Sequence, residues 1–446
     1  MITKDKEFYK SFLILCITLM LEQAVILSVN LADNIMLGNY SESALSGVAA
    51  VNQIQFVLQQ IVYGISNGVI VLGCQYFGQG KREPVKKLAL TGFYAEMFVA
   101  FALFAAVAMY PHYALKIFTN DTGVINEGVK YIDIIKFTYP VFACTAIMLA
   151  SLRIMQCVKI ALVVSVISLC VNCCVNYILI FGNFGMPEMG VRGAAIGTLT
   201  ARILECIIVF SFIKLKYRRV KIRKYLKPDK TLAKDYFKVC IPIVLSSLMW
   251  GVSNAVQTVI LGHMDTSAMA AYSISSTLFL LLKVTSVGAA SAASVLIGQE
   301  IGRGGERIKE YSRSLQLIFI CIGVILGISL FTLKNPMLRL YNISDKTREL
   351  ANAFFTLQSI VIMTMSYQMP VNIGIIRGGG DTKYVMILDF ISIWLIVMPL
   401  SLYAAFGLKA SAAVVVGCLN SDQVFKCIPA AIYVNFCNWQ KKLTRN

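Results

Sequence analysis

Apolar runs separated by short polar segments occupy the chain from end to end. Runs of about 20 residues, the length that carries a helix across the hydrocarbon of a bilayer, number twelve. They fall at 11–37, 51–77, 88–110, 131–152, 158–181, 190–213, 236–262, 270–298, 314–333, 351–376, 384–406 and 410–436. The connections between them are short, so no separate soluble domain is expected. The first run lacks an A-x-A-like cleavage site and is predicted to be a retained span. The pattern predicts an all-α membrane protein of twelve transmembrane helices.

Composition points the same way. Of 446 residues, 57% are hydrophobic and 14% charged, against about a quarter charged in soluble domains. A net charge of +18 would suggest nucleic acid in a soluble chain; here its placement reads as topology. Nine Lys and Arg lie in KLKYRRVKIRKYLKPDK at 214–230. Others cluster at Lys81, Arg82, Lys86 and Lys87, at Arg303, Arg307, Lys309 and Arg313, and at Lys441, Lys442 and Arg445. The alternate segments 38–50, 182–191 and 263–269 carry none. By the positive-inside rule both termini and the 214–230 segment are cytoplasmic, in a multi-pass plasma-membrane protein. The segment with Lys334, Arg339, Lys346 and Arg348 is the exception, outweighed by the rest. Anionic lipid at the cytoplasmic face is the expected partner of this charge, and nucleic acid is not. The thirteen cysteines lie mostly inside apolar runs, as in CVNCC at 170–174. They read as small buried residues, with no metal site, cofactor or disulfide framework implied.

The chain repeats at an offset of 224 residues. Asn30 then meets Asn254, Leu37-Gly38 meets Leu261-Gly262, Gly64 meets Gly288, and Gln75 meets Gln299. Gly78-x-Gly80 meets Gly302-x-Gly304, and Arg153 and Lys159 meet Arg377 and Lys383. Each repeat holds an even number of spans, so both enter the membrane from the same side. The expectation is two parallel six-helix lobes, 1–213 and 236–446, joined by a basic cytoplasmic linker at 214–235. Their pseudo-two-fold axis would lie along the membrane normal, an arrangement suited to alternating access.

An ionisable side chain at the centre of a span costs roughly 2.5–3.5 kcal/mol on insertion scales, so each one needs a reason. Asp33, in LSVNLADNIMLG at 27–38, sits near the outer end of the first run. Asn172 and Asn176 lie four apart on one face of the fifth span, and Thr198 lies eight residues into the sixth. These four fall at one depth in the outer leaflet and make an oxygen site for a proton or a sodium ion. The plainer reading is interhelical hydrogen bonding worth about 0.6 kcal/mol each, with Asp33 meeting headgroup water. Glu22, eleven residues before Asp33, shares its face to within about 20°. Glu22, Asn30, Asn34, Asn254, Gln257 and the mid-span Lys283 are candidates for lining a substrate cavity. The repeat partner of Asp33 is Gln257, and the seventh span contains no acid. Ion coupling is therefore expected to be concentrated in the first half.

Several stretches together resemble the multidrug and toxic compound extrusion (MATE) family. Asp33 to Gly38 looks like the end of its first helix, and GCQYFGQGKR at 73–82 and LIGQEIGRG at 296–304 are similar to its paired loop motifs. NCCVNYILIFGNFGMPEMGVRGAAIGT at 172–198 resembles its fifth-to-sixth span passage, and IIRGGGDTK at 375–383, with Asp389, Trp394 and Pro399, its tenth–eleventh signature. The resemblance implies a monomeric secondary transporter, needing no cofactor. It would export organic, often cationic or amphipathic, compounds in exchange for inward H⁺ or Na⁺. It also implies a cation site at Asp33, Asn172, Asn176 and Thr198, as in the prokaryotic DinF-like branch. Two departures stand out: Asn176 replaces an acid common in that branch, and no Pro or Gly between 11 and 37 supports a hinged first helix. Asp381 in RGGGDT reads first as a helix cap and second as a further cation site. Asp389 is expected to pair with Arg377 or Lys383. The alternative within transport is a lipid-linked oligosaccharide flippase, towards which Lys283 points. A membrane-embedded enzyme would need clustered acids or histidines, whereas His112 and His263 stand singly on outer loops.

Overall fold

The computed structural model describes residues 2–119, 121–216, 229–262, 266–339, 341 and 343–445. The core of the expected linker, 217–228, and His263 lie outside the described residues. Helices follow one another as the apolar runs do. They are α1 (Lys6–Tyr40), α2 (Glu42–Gly78), α3 (Arg82–Met109), α4 (Pro111–Lys116), α5 (Thr122–Ile135) and α6 (Thr138–Ile154). Next come α7 (Lys159–Phe181), α8 (Val191–Lys216), α9 (Lys230–Gly262), α10 (Thr266–Arg303), α11 (Ile308–Arg339) and α12 (Asp345–Met369), the last continuing as a π-helix over Pro370–Arg377. The short α4 begins with Pro111 at its first position and contains His112.

Among the described residues, ten helices are long and apolar enough to cross a membrane, or eleven if α5 and α6 form one span bent by 52°. That bend lies in the expected fourth span, which starts earlier than 131 because α5 runs from Thr122. The eleventh span begins as α13 (Thr382–Phe390) and, after a π-helical stretch, continues as α14 (Met398–Leu402). The twelfth run, 410–436, is present as three consecutive pieces, α15 (Ala412–Leu419), α16 (Ser421–Phe425) and α17 (Cys427–Phe436). Its breaks coincide with polar Asn420 and with Lys426, whose ammonium is drawn 3.1 Å from Asp422 and 3.0 Å from Asp389. The first helix is continuous over 35 residues, as the lack of Pro and Gly predicts.

The chain divides into two compact units. One comprises Leu21–Gly73 and Lys81–Val244 and is called here the N-unit. The other comprises Met1–Met20, Cys74–Gly80 and Leu245–Asn446, the C-unit. These units cut across the expected lobes 1–213 and 236–446. Helix α1 divides at 20/21 and α9 at 244/245, positions that correspond under the 224-residue offset.

Glycines explain the exchange. In the N-unit, a Cβ on Gly64 would sit 2.9 Å from the Val244 Cα, so α2 and the first half of α9 touch backbone to backbone. In the C-unit, a Cβ on Gly288 would sit 3.0 Å from the Met20 nitrogen, so α10 and the first half of α1 do the same. Gly64 pairs with Gly288 in the repeat, and Met20 with Val244. A second reciprocal pair lies wholly in the C-unit, where a Cβ on Gly78 would collide with the Gln299 carbonyl and one on Gly302 with the Gln75 carbonyl. Only residues without a side chain permit such approaches. Polar ties hold both borrowed segments. Tyr236 in α9 donates to the Ile65 carbonyl at 2.9 Å in the N-unit. In the C-unit, Tyr311 donates to Asp5 at 2.8 Å, and the Phe8 ring stacks on Tyr311 at 4.0 Å.

In the N-unit α7 packs along α8, α3 along α6, and both α5 and α6 touch α8. Its core includes Leu37, Val51, Leu58, Ile132, Tyr139 and Ile180. In the C-unit α12 packs on α10 and α11, around a core that includes Leu330, Phe354, Phe355 and Val416.

Candidate functional site

The site lies within the N-unit and is assembled by helix contact. Helix α7 ends at Gly182, whose φ of +68 gives the left-handed cap that turns the chain back towards α8. Small residues then bring α8 against α7: a Cβ on Gly193 would sit 2.6 Å from the Leu179 backbone. One turn further, Gly197 leaves room for the carboxamide of Asn176, into which any Cβ there would run. Asn176 is fully buried and Asn172 nearly so.

Asp33, Asn172, Asn176 and Thr198 come together. The Asn176 amide donates to Asp33 Oδ1 at 2.6 Å and to Asn172 Oδ1 at 3.3 Å. Asn172 in turn donates to Thr198 Oγ1 at 3.3 Å. Three helices, α1, α7 and α8, thus supply one hydrogen-bonded chain ending on a carboxylate. Asn176 Oδ1 has no hydrogen-bond partner among the described residues; it lies against Gly197, while the amide nitrogen faces Asp33.

This chain borders a cavity lined by Asn30, Asp33, Asn34, Tyr131, Asn172 and Arg202, among others. Solvent centres have about 100 Å³ there, several times the 10–15 Å³ that one water needs. Asn30 and Asn34 therefore share the cavity of Asp33. Glu22 does not line it but lines a second one with Arg153, to which it is bonded at 2.6 Å.

Arg202, Glu205 and Glu96 were not legible as site residues from the motifs alone. Arg202 follows Thr198 by four residues and so shares its face, and it donates to Glu205 Oε2 at 3.0 Å. Its guanidinium also lies 5.4 Å from the centre of the Phe142 ring. Glu96, on α3, is fully buried and accepts from Ser66 at 2.7 Å. The available signal was the cost of any mid-span charge, applied to every ionisable residue rather than to those in conspicuous motifs.

The remaining candidates lie in the C-unit and are dispersed. Asn254 donates to the Trp250 carbonyl and Gln257 to Ser253, both within α9. Gln257 thus makes a local bond where Asp33 makes a long-range one. Lys283 places its ammonium 4.9 Å from the Trp250 ring centre. Asp381 caps α13 by accepting from the Tyr384 amide, and it also takes Tyr433 at 2.6 Å and Lys441 at 2.8 Å. Those partners saturate it as a cap and ion pair. Asp389 pairs with Lys426 and Ser246 rather than with Arg377 or Lys383. Arg377, the last residue of the π-helical stretch, reaches Ser246 instead, at 3.3 Å.

Comparison with known proteins gives concordant matches. The MatE family model matches residues 19–178 and 242–403. The chain is 27% identical over 448 residues to a probable multidrug resistance protein NorM of Thermotoga maritima, covering 98% of this chain and 95% of the relative. Among solved structures it is similar to the eukaryotic MATE transporter AtDTX14, with a TM-score of 0.85 at 17% identity over 98% of this chain and 97% of the other. It is also similar to a mutant of the Vibrio cholerae MATE transporter VcmN, with a TM-score of 0.84 at 15% identity over 96% of each chain.

Proposed function

Since the chain belongs to the MATE family, we propose that it exports organic, often cationic or amphipathic, compounds by antiport, with Asp33, Asn172, Asn176 and Thr198 as the cation-coupling layer. One observation carries this reading: a carboxylate from α1 is held at 2.6 Å by a buried amide of α7, at the edge of a solvent-sized cavity. Asn172 and Thr198, which line that cavity, add neutral oxygens at the same depth. Gln257 at the repeat-related position supports a coupling role confined to the first half.

The cycle follows from cation and substrate each lowering the other's affinity. A cation arriving from outside occupies Asp33 and lowers the affinity for substrate, which leaves. The loaded protein turns inward, releases the cation to the cytoplasm and takes up the next substrate. Asn30 and Asn34 are assigned to the wall of the Asp33 cavity, and Lys283 with Trp250 to a separate substrate contact in the C-unit. The protein is read as a monomer of the plasma membrane with cytoplasmic termini, where the basic 214–230 segment faces anionic lipid.

Reconstituted vesicles test the reading. Asp33→Asn removes the charge but keeps the shape, so substrate movement driven by an imposed H⁺ or Na⁺ gradient should vanish. A variant that still responds to the gradient overturns the coupling role. Growth-inhibition profiling of an overproducing strain, with Asp33→Asn as control, identifies the compounds moved.

A further inference from the structure

Two cavities adjoin inside the N-unit and share Ile26, Phe142, Ser165, Arg202 and Glu205 in their walls. The first holds Asp33; the second holds the Glu22–Arg153 pair and has about 60 Å³ for solvent centres. Arg202 and Glu205, bonded to each other at 3.0 Å, stand at the junction. The ionisable groups are therefore ordered in depth. Asp33 lies in the outer layer, Arg202 and Glu205 are four and seven residues beyond Thr198 along inward-running α8, and Glu22 lies about 17 Å from Asp33 along α1. Arg153 occupies the last turn of α6, beside the connection that the charge pattern places at the cytoplasmic face.

We propose that this column of carboxylate–guanidinium pairs carries a proton from Asp33 to the cytoplasm inside the N-unit, apart from the path taken by substrate. The inference rests on the coupling role of Asp33 proposed above and adds the identity and route of the ion. Three carboxylates against two guanidiniums leave a net charge of −1 on the groups lining the two cavities, which one proton neutralises. The proton leaves the Asp33 carboxyl, which becomes a carboxylate, and protonates Glu205. Glu205 passes it to Glu22, and Glu22 to cytoplasmic water, so each donor returns to its carboxylate form. Both cavities have room for the waters that bridge such transfers.

A mobile sodium ion fits the same column poorly. It needs several oxygen ligands and would have to pass Arg202 and then Arg153, each a fixed positive charge in a low-dielectric setting. Protons pass between carboxyl groups without that obstacle. Glu22 Oε2 and Arg153 Nε have no hydrogen-bond partner among the described residues, which leaves one oxygen of Glu22 available as an acceptor. The other titratable groups facing the column are the phenols Tyr63, Tyr131 and Tyr139, with Glu96 behind Ser66. Their hydroxyls complete the wall without adding charge.

The test uses the full-length protein in proteoliposomes with ethidium, a lipophilic organic cation, as the probe. Uptake is driven by a pH gradient, by a sodium gradient, or by none, the last measuring ethidium exchange across the membrane. The column predicts that Glu205→Gln and Glu22→Gln each lower pH-driven uptake about tenfold or more while exchange stays near the parent rate. It also predicts that a sodium gradient alone drives nothing. Because removing one partner of a buried pair threatens folding, Glu22→Gln with Arg153→Met, which removes the whole pair, must show the same split. Parent-like pH-driven uptake in these variants, equal loss of both readouts, or sodium-driven uptake in the parent overturns the column. If Asp33→Asn keeps its pH response, or the parent moves no ethidium in any mode, the underlying coupling reading fails with it. Loss in Asp33→Asn together with parent-like glutamate variants sinks the column alone.

Discussion

Asn176 is held in place by the residue opposite it as much as by its own bonds. Its carboxamide occupies the space that a side chain at position 197 would take, and its amide bridges Asp33 and Asn172. Gly197→Ala therefore forces the carboxamide away from Asp33. Overpacking of this kind costs about 1–3 kcal/mol, to be read as a lower melting temperature together with weakened gradient-driven transport. Adding Asn176→Ser to Gly197→Ala frees the volume, so melting should recover while coupling does not. Independent effects of the two changes in a double-mutant cycle would show that the two positions do not compete. The asparagines and Thr198 were readable from spacing, since residues four apart on a helix share a face. Which oxygen of which residue faces Asp33 was not, because the answer lies in the approach of α8 to α7.

At the level of helices, the repeat was visible as glycine punctuation, and the structure shows what the punctuation does. Gly78 and Gly302 each leave room for the backbone of the other motif, Gln299 and Gln75 respectively. A backbone carbonyl cannot swing aside as a side chain can. Gly78→Ala and Gly302→Ala should therefore each destabilise the protein by about 1–3 kcal/mol, and by similar amounts because the contacts are reciprocal. Thermal melts of the two purified variants check this; one neutral variant beside one damaging variant would deny the equivalence. The same physics limited the reading of helix ends. Hydropathy marks where the chain can be buried in lipid, but not where it bends, so the 52° break before α6 and the breaks in the twelfth run were not foreseen. At Lys426 the chain follows Asp389, contributed by another helix, whereas Asn420 bonds back to the Val416 carbonyl of its own run.

For the whole molecule, charge asymmetry predicts orientation. An alkaline phosphatase fused after Asn446 should be inactive and a green fluorescent protein fused there should fluoresce, since the positive-inside rule places this end in the cytoplasm. Active phosphatase at that site would reverse the assignment. Sequence alone determined the membrane class, the number of apolar runs, the internal repeat and the family, because burial in lipid and tight helix contact require particular residue types at particular intervals. It also singled out Asp33, because a charge in an apolar run is costly wherever it ends up. Tertiary structure decided which half of α1 and of α9 belongs to which unit, and which polar groups meet. Glu22 with Arg153 and Arg202 with Glu205 pair at 2.6 Å and 3.0 Å, yet Glu22 and Arg153 are 131 residues apart in the chain. Pairing at such separation depends on helix packing, which no local spacing encodes.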